Sequence, residues 1–328
     1  MGHIEAQATI SPNQLYGNIF FIATHDKTRD ICVVQANGDN PHCLTKGLDV
    51  YQYSVTSDGQ RIAYNLLSDG NIYTMDANGE HQTNLTNSIA RSQNIAWSPD
   101  GKHIAFDYNR DHPKTFDIFI MDADGKNVVN LTGSGGSVHP VWSHDGKQIG
   151  FSSAQDASTY ACIINADGSQ KKCLPHEQGI YQSFSSWSPT DKQIAYISQG
   201  KNSKVLNISA VDGSDQYSIA EDIPTSAVIW SPEGNQVILT SQQGLNVDIY
   251  IADADGANLL RLPVDSARYT TPMWSPDGNY IAVTRSVEAQ STIDIIDVKT
   301  AKQYTLIGED FLNSQGATSA INPVWVHG

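Results

Sequence analysis

The sequence predicts an all-β fold: a seven-bladed β-propeller of four-stranded antiparallel blades, closed by pairing of its N- and C-terminal segments. Three observations predict it: a turn motif restated at a near-constant interval, four short strands in each interval, and complementary partial repeats at the two chain ends. The motif is Trp97-Ser98-Pro99-Asp100-Gly101. Copies read Trp142-Ser143-His144-Asp145-Gly146, Trp187-Ser188-Pro189-Thr190-Asp191, Trp230-Ser231-Pro232-Glu233-Gly234 and Trp274-Ser275-Pro276-Asp277-Gly278. A degraded copy is placed at Tyr53, two residues longer before its Asp58-Gly59, and a last tryptophan stands at Trp325. From Tyr53 the steps are 44, 45, 45, 43, 44 and then 51 residues. A fixed period of this size marks a repeat architecture.

Each element of the unit follows from its residues. Proline at the second turn position presets φ, and the following glycine accepts the left-handed conformation on which such a turn ends. His103-Ile104-Ala105-Phe106 alternates as a strand, and a polar loop from Asn109 to Thr115 follows. Asp117-Ile118-Phe119-Ile120-Met121 is the next strand, Asp124-Gly125 signals a two-residue hairpin, and Val128 to Leu131 return as a last strand. No helix-period segment is read anywhere. Four short strands at this period make a propeller blade. The tryptophan is expected to fill the wedge between blades, where its indole N–H needs a partner.

The chain ends complete each other. Asn18 to Ala23, Asp30 to Val34 and Cys43-Leu44-Thr45 supply a blade's second, third and fourth strands, and Pro323-Val324-Trp325 supplies a first strand alone. Joining them gives one composite blade, a count of seven, and removes the open edge between first and last blades; the alternative is a six-bladed ring with loose ends. The domain expectation is a tail over residues 1–14 and one propeller over 15–328. No apolar run reaches the roughly 18–20 residues that cross a bilayer, and the first fourteen residues lack an apolar core of signal-peptide type.

The four cysteines fall in two pairs with the same offset around a hairpin: Cys32 and Cys43 about Asn37-Gly38, Cys162 and Cys173 about Asp167-Gly168. Facing residues of neighbouring strands have Cα atoms roughly 4.5–5.5 Å apart, within disulfide reach. Two disulfides and an oxidising compartment, periplasmic or secreted, are expected; the alternative is two pairs of buried thiols in a cytosolic protein. The formal charge is −15, from 35 acidic and 20 basic residues. It argues against nucleic acid and anionic membranes as partners, although many of these acids belong to the repeated turns.

The run Trp-Ser-Pro-Asp-Gly-Lys-x-Ile-Ala-Phe, then Asp-Ile-Phe-Ile-Met-Asp-Ala-Asp-Gly, then Asn-Leu-Thr, over Trp97 to Thr132, resembles the propeller repeats of the TolB family of the periplasmic Tol–Pal system. Weaker copies cover nearly the whole chain. The same repeat type occurs in prolyl-oligopeptidase-like enzymes, tricorn-like proteases and oligogalacturonate lyases, so the resemblance is specific for the propeller and not for activity. It implies an exported protein that binds protein or peptide partners, an envelope protein among them, over one mouth of the ring. It also implies that calcium in the channel is possible, with no residue assigned to it. The N-terminal α/β domain of TolB is expected to have no counterpart in the fourteen residues ahead of the propeller.

Strand order sends the repeated turns to one face and the inter-blade and second-to-third-strand loops to the other. The first set is nearly identical between copies and the second differs at each, so the variable face is the candidate binding face. Arg91, His139, Tyr181, Arg268 and Tyr269, within about six residues upstream of tryptophan positions, are placed in inter-blade loops near the channel mouth; Arg110 and His112, with Lys27, Arg29 and Lys114, lie at larger radius. Arginine and tyrosine are well suited to carry binding energy. The long connection from Gly308 to Asn322, with Phe311, is read as a lid or partner contact. The function expected is a non-enzymatic, monomeric binding scaffold. The alternative is a carbohydrate lyase or hydrolase at the channel mouth, which needs imidazoles such as His25, His112, His139 and His176 to converge. No nucleophile elbow is present, Asp122-x-Asp124-Gly125 lacks the rest of a calcium loop, and Asn84-Leu85-Thr86 and Asn130-Leu131-Thr132 are read as repeat pattern, not glycosylation sites.

Overall fold

A computed structural model describes residues 15–155, 158–175, 180–200, 204–220, 225–243, 246–262, 264–265 and 267–327. Strands dominate, in antiparallel groups of four. The Trp97 unit shows the pattern: Ser92–Trp97, His103–Tyr108, Asp117–Asp122 and the two-residue Val129–Asn130 pair in sequence order. Its first turn is closed by side chains as well as backbone. The buried Ser98 hydroxyl donates to Asp100 Oδ1 at 2.7 Å and accepts the His103 N–H at 2.9 Å, while Gly101 takes φ +66°. In the Trp187 copy Asp191 replaces the glycine and adopts φ +57°; its carboxylate accepts the His144 and Asp145 N–H groups of the preceding unit, both at 2.7 Å.

Two local expectations are corrected. The degraded first copy is anchored on Thr56, whose hydroxyl bonds Asp58 at 2.6 Å and accepts the Arg61 N–H at 3.0 Å, as Ser98 does for its own turn. Val55, paired with Ile62 as Trp97 is with Ile104, therefore holds the tryptophan position, and no residues are inserted. Tyr53 lies two residues upstream on the same strand face, because side chains alternate with period two. The Asp-Gly hairpins are three-residue loops, not two-residue ones. Asp122 N–H bonds Lys126 O, Gly125 N–H bonds Asp122 O, and of these loop residues only Gly125 has positive φ. That is a type I turn with a left-handed residue after it.

The core is divided into wedges between neighbouring units. One cluster joins Ala63 and Ile72 to Trp97, Ile104 and Phe119; another joins Ala105 and Ile118 to Trp142, Ile149 and Phe151. The tryptophans seal these wedges as expected: the indole N–H of Trp142 donates to Ala96 O at 3.1 Å, that of Trp187 to Val141 O at 3.0 Å, and that of Trp274 to Ile229 O at 3.2 Å. Trp97 and Trp230 have buried N–H groups with no hydrogen-bond partner among the described residues.

The chain ends pair with each other. Ser319–Val326 runs antiparallel to Asn18–Thr24, which continues into Arg29–Gln35 and His42–Cys43. This composite group packs against the Trp274 unit on one side and the Tyr53 unit on the other. Hydrogen bonding does not run unbroken through all the groups; they form sheets of 12, 8, 4 and 4 strands. Both cysteine pairs are in facing register and disulfide-bonded, with Cα separations of 3.8 and 3.9 Å, closer than the spacing expected for facing residues.

One helix, Glu309–Gln315, was not expected. It ends on Gly316 in the left-handed conformation, buries Leu312, and sets Phe311 edge-on to Phe21 at 5.9 Å between ring centres. Phe311 is thus docked on the body of the fold rather than held out over an opening. Among the described residues no helix is long and apolar enough to cross a membrane.

Candidate binding face

The first strand of each unit begins on the variable face and ends at the repeated turn. Several begin with a single parallel pairing to the unit before: Tyr181 to Thr159, Arg268 to Val247, Ser319 to Ser291. Midway, each first strand shifts register, as at Val138/Val141 and Thr270/Met273. His139, Thr271 and Asn322 occupy these bulges with positive φ (59°, 49° and 56°), each before a proline. A β-branched residue such as Thr271 pays a steric penalty there. The bulges are held by side chains of second strands: Thr284 Oγ1 accepts the Asn322 N–H at 3.0 Å, and the buried Asp107 accepts Gln93 and Asn94 N–H at 2.9 and 3.0 Å.

Two adjoining cavities open here. A cleft of about 740 Å³ is lined by Arg268, Arg285, Glu288 and the hydroxyl residues Thr270, Thr284 and Ser286. It shares Thr270 and Asn322 with a second space of about 540 Å³ walled by Tyr53, Pro272, Met273, Pro323 and Val324. A third, about 530 Å³, shares Ile229 and Met273 with the second and reaches the repeated-turn side, where Trp142, Trp187, Trp230, Trp274 and Trp325 line it. The tryptophans thus border an opening as well as filling wedges.

The cleft has an organised charge network. Asp265 accepts hydrogen bonds from Arg285 Nε and Nη2, and from the Tyr269 hydroxyl at 2.6 Å. Partial burial works against its charge, but the Arg285 and Tyr269 bonds hold the carboxyl below the usual range. Behind it the buried Asp294 accepts Thr292 and Gln303, both at 2.7 Å, and lies 4.0 Å from Arg285; burial pushes its carboxyl up.

The TolB beta propeller domain model matches residues 52–225 and 153–321. The chain belongs to the TolB β-propeller family. The Tol-Pal system protein TolB of Francisella tularensis subsp. holarctica is 25% identical over 244 residues, 71% of this chain and 56% of that protein. The chain spans between 26% and 56% of the length of the curated relatives it matches. TolB from Acinetobacter baumannii superposes with a TM-score of 0.59 at 15% identity, covering 99% of this chain and 89% of that one. An oligogalacturonate lyase in complex with manganese gives 0.72 at 13% identity, covering 93% and 89%. At these identities the structural likenesses establish the fold alone.

Within this TolB-type frame the candidate residues separate. Arg268 and Tyr181 are exposed at the starts of first strands, and His139 is exposed in a bulge; these three stand in strands, not loops, because the first strands extend further upstream than the motif suggested. Arg91 is exposed, with its stem laid across Gly70 and a guanidinium N–H 3.4 Å from Leu67 O. Tyr269 corrects the expectation: it is fully buried, because it alternates with Arg268 along one strand, and burial together with Asp265 raises its hydroxyl's pKa. Arg110 pairs with Asp111 at 2.8 Å and covers the Phe119 ring at 4.7 Å, and His112 stands 3.5 Å from Asp117. Arg29 pairs with Asp49, and His25 donates to Gly316 O or approaches Asp30, so the described histidines do not converge. His176 lies outside the described residues. Among those described, no group of three or more His, Cys, Asp or Glu is set to hold a metal ion, calcium included.

Sequence reasoning missed Arg285, Asp265 and Glu288, and also a repeated buried clasp. Asp30, Asn71 and Asp117 each accept a threonine hydroxyl fifteen residues on, from Thr45, Thr86 and Thr132 at 2.9–3.0 Å. The recurring offset was a readable signal. It gives the threonine of each Asn-Leu-Thr a structural task, and Asn84 and Asn130 accept N–H bonds within the same turn.

Proposed function

We propose that this chain is a non-enzymatic, exported binding scaffold whose residues 15–328 form one closed seven-bladed ring. It recognises a protein or peptide partner through the variable-loop face and channel mouth. The observation that carries the reading is the cleft on that face, edged by exposed Arg268 where the Trp142 and Trp187 units have Gly136 and Tyr181, and continued by the space walled by Pro272, Met273, Pro323 and Val324. The repeated-turn face carries the same Ser-x-Asp clasp at Ser98, Ser143 and Ser275. Pairing of the chain ends supports closure, and a closed ring gives a frame whose loops need little ordering on association. Two disulfides and membership of the TolB family support a periplasmic or secreted site of action. The partner is a protein of the same envelope, bound by a monomer.

The test is capture of partners from an envelope extract of the source organism, comparing wild type with a variant carrying Arg91→Ala, Tyr181→Ala and Arg268→Ala. The reading expects a partner retained by wild type and lost by the variant. Equal recovery by both proteins refutes the face assignment.

A further inference from the structure

We propose that the cleft beside Arg268 is a carboxylate subsite, which takes a peptide carboxylate while the neighbouring apolar residue of the ligand enters the channel. This rests on the peptide-binding reading of the face and specifies its chemistry. The two cationic groups of the cleft are not equivalent. Arg285 is committed, with Asp265 on two of its nitrogens and Asp294 behind it. Arg268 is exposed on the cleft wall, and among the described residues its guanidinium makes no hydrogen bond or ion pair. Asp265 lines the same cleft but is already held by Arg285 and Tyr269, so it does not neutralise Arg268. In a chain of net charge −15 an uncommitted arginine on a concave wall is a marked local exception.

The remaining lining fits the same ligand. Thr270, Thr284 and Ser286 line the cleft, the Thr284 hydroxyl bonded to Thr271 and that of Ser286 to Ser291, and Asn322 borders both spaces. Past Thr270 the wall becomes apolar, with Pro272, Met273, Pro323 and Val324. An arginine fork binds a carboxylate through two N–H groups, and the apolar channel removes the adjoining side chain from water. A chain-terminal carboxylate and an acidic side chain offer the same chemistry. Glu288 stands exposed on the hairpin at the cleft rim and opposes either of them weakly across solvent.

The test follows backbone and arginine side-chain NMR signals of the intact, oxidised protein during titration with N-acetyl-leucine, acetyl-glutamyl-leucinamide and, as the uncharged control, acetyl-glutaminyl-leucinamide. Expected are saturable shifts at Arg268, Thr270 and Asn322 with one or both acids and not with the control. A preference between the two acids identifies the source of the carboxylate. Arg268→Ala weakens binding by about tenfold or more, Arg268→Lys by less, since the fork is lost but the charge kept. Glu288→Gln tightens it by roughly twofold, and added salt weakens it. Equal shifts with the control, undiminished binding by Arg268→Ala, or no shift up to the solubility limit overturns the subsite. Stronger binding of galacturonate than of either peptide acid overturns the peptide assignment. Equal partner recovery by wild type and the triple variant, or no partner captured by wild type, together with intact N-acetyl-leucine binding refutes the scaffold reading and leaves the carboxylate subsite standing, so the two fail separately.

Discussion

Replacing Trp325 with alanine tests how the ends of the chain are fastened. The ring is 6% exposed and packs with Leu15, Ile19, Phe21 and Tyr280, and its indole N–H donates to Tyr16 O at 2.9 Å. Truncating a buried tryptophan costs about 3–5 kcal/mol, and this figure includes the stranded Tyr16 carbonyl. The strand itself keeps its pairing to Asn18–Thr24, so the loss falls on the wedge. The same strand contributes Val326 to the cluster of Phe20, Ile62 and Tyr64, which couples the wedge to the opposite side. Urea unfolding followed by tryptophan emission, with amide exchange on the folded variant, reads both effects. A lower midpoint is expected, with faster exchange in Val50–Val55 and Tyr280–Val287 as well as in the closing strand. The exposed Val129→Ala serves as control, within about 0.5 kcal/mol of wild type. An unchanged midpoint, or faster exchange confined to residues 319–327, would refute the reasoning.

Three further outcomes are expected. A Cβ at Gly150 would lie 2.1 Å from the Phe184 ring, so Gly150→Ala destabilises by about 1–3 kcal/mol and Phe184→Leu in the same chain restores most of it; independent, additive losses in chemical denaturation contradict the packing. Asp145 is held down to about 2 by the Lys147 N–H first, then by the Lys147 ammonium and Ser143. Its native charge stabilises the turn above the ordinary carboxylate range and the benefit is lost as pH falls towards 2, so NMR titration should find a midpoint near there, raised by Lys147→Ala; a midpoint in the ordinary range for wild type refutes it. Alkylation of the denatured, unreduced protein should find no free thiol, and the double change Cys32→Ala with Cys43→Ala should cost about 2–3 kcal/mol for a loop of this length; four reactive thiols before reduction contradict the exported reading.

How much could be read in the sequence follows from which demands repeat. Ser98, Asp100 and Gly101 recur because one hairpin needs a hydroxyl, a carboxylate and a left-handed residue at fixed spacing, and Trp97 recurs because every wedge needs filling. The disulfides were readable because symmetric offsets about a hairpin imply facing residues. Tyr53 misled because residues 53 and 55 share a strand face, and its ring looked more like tryptophan than Val55 does. Tyr269 misled because the strand start was set too late; once Arg268 is a strand residue, alternation puts its neighbour inside. The helix at Glu309–Gln315 buries one leucine and carries too little periodicity to announce itself. Arg285 and Glu288 come from the next strand and its hairpin and line the cleft with Arg268 only through folding, so no local pattern joins them.

The central claim, that partners are held by the variable face, is tested most directly by amide exchange on the protein with and without its captured partner. The account predicts protection on binding at residues 88–93, 180–183, 267–271 and 284–291, with the Ser-x-Asp turns at 98–101, 143–146 and 275–278 unchanged. Protection centred on those turns, with the cleft and channel mouth exchanging as in the free protein, would contradict it.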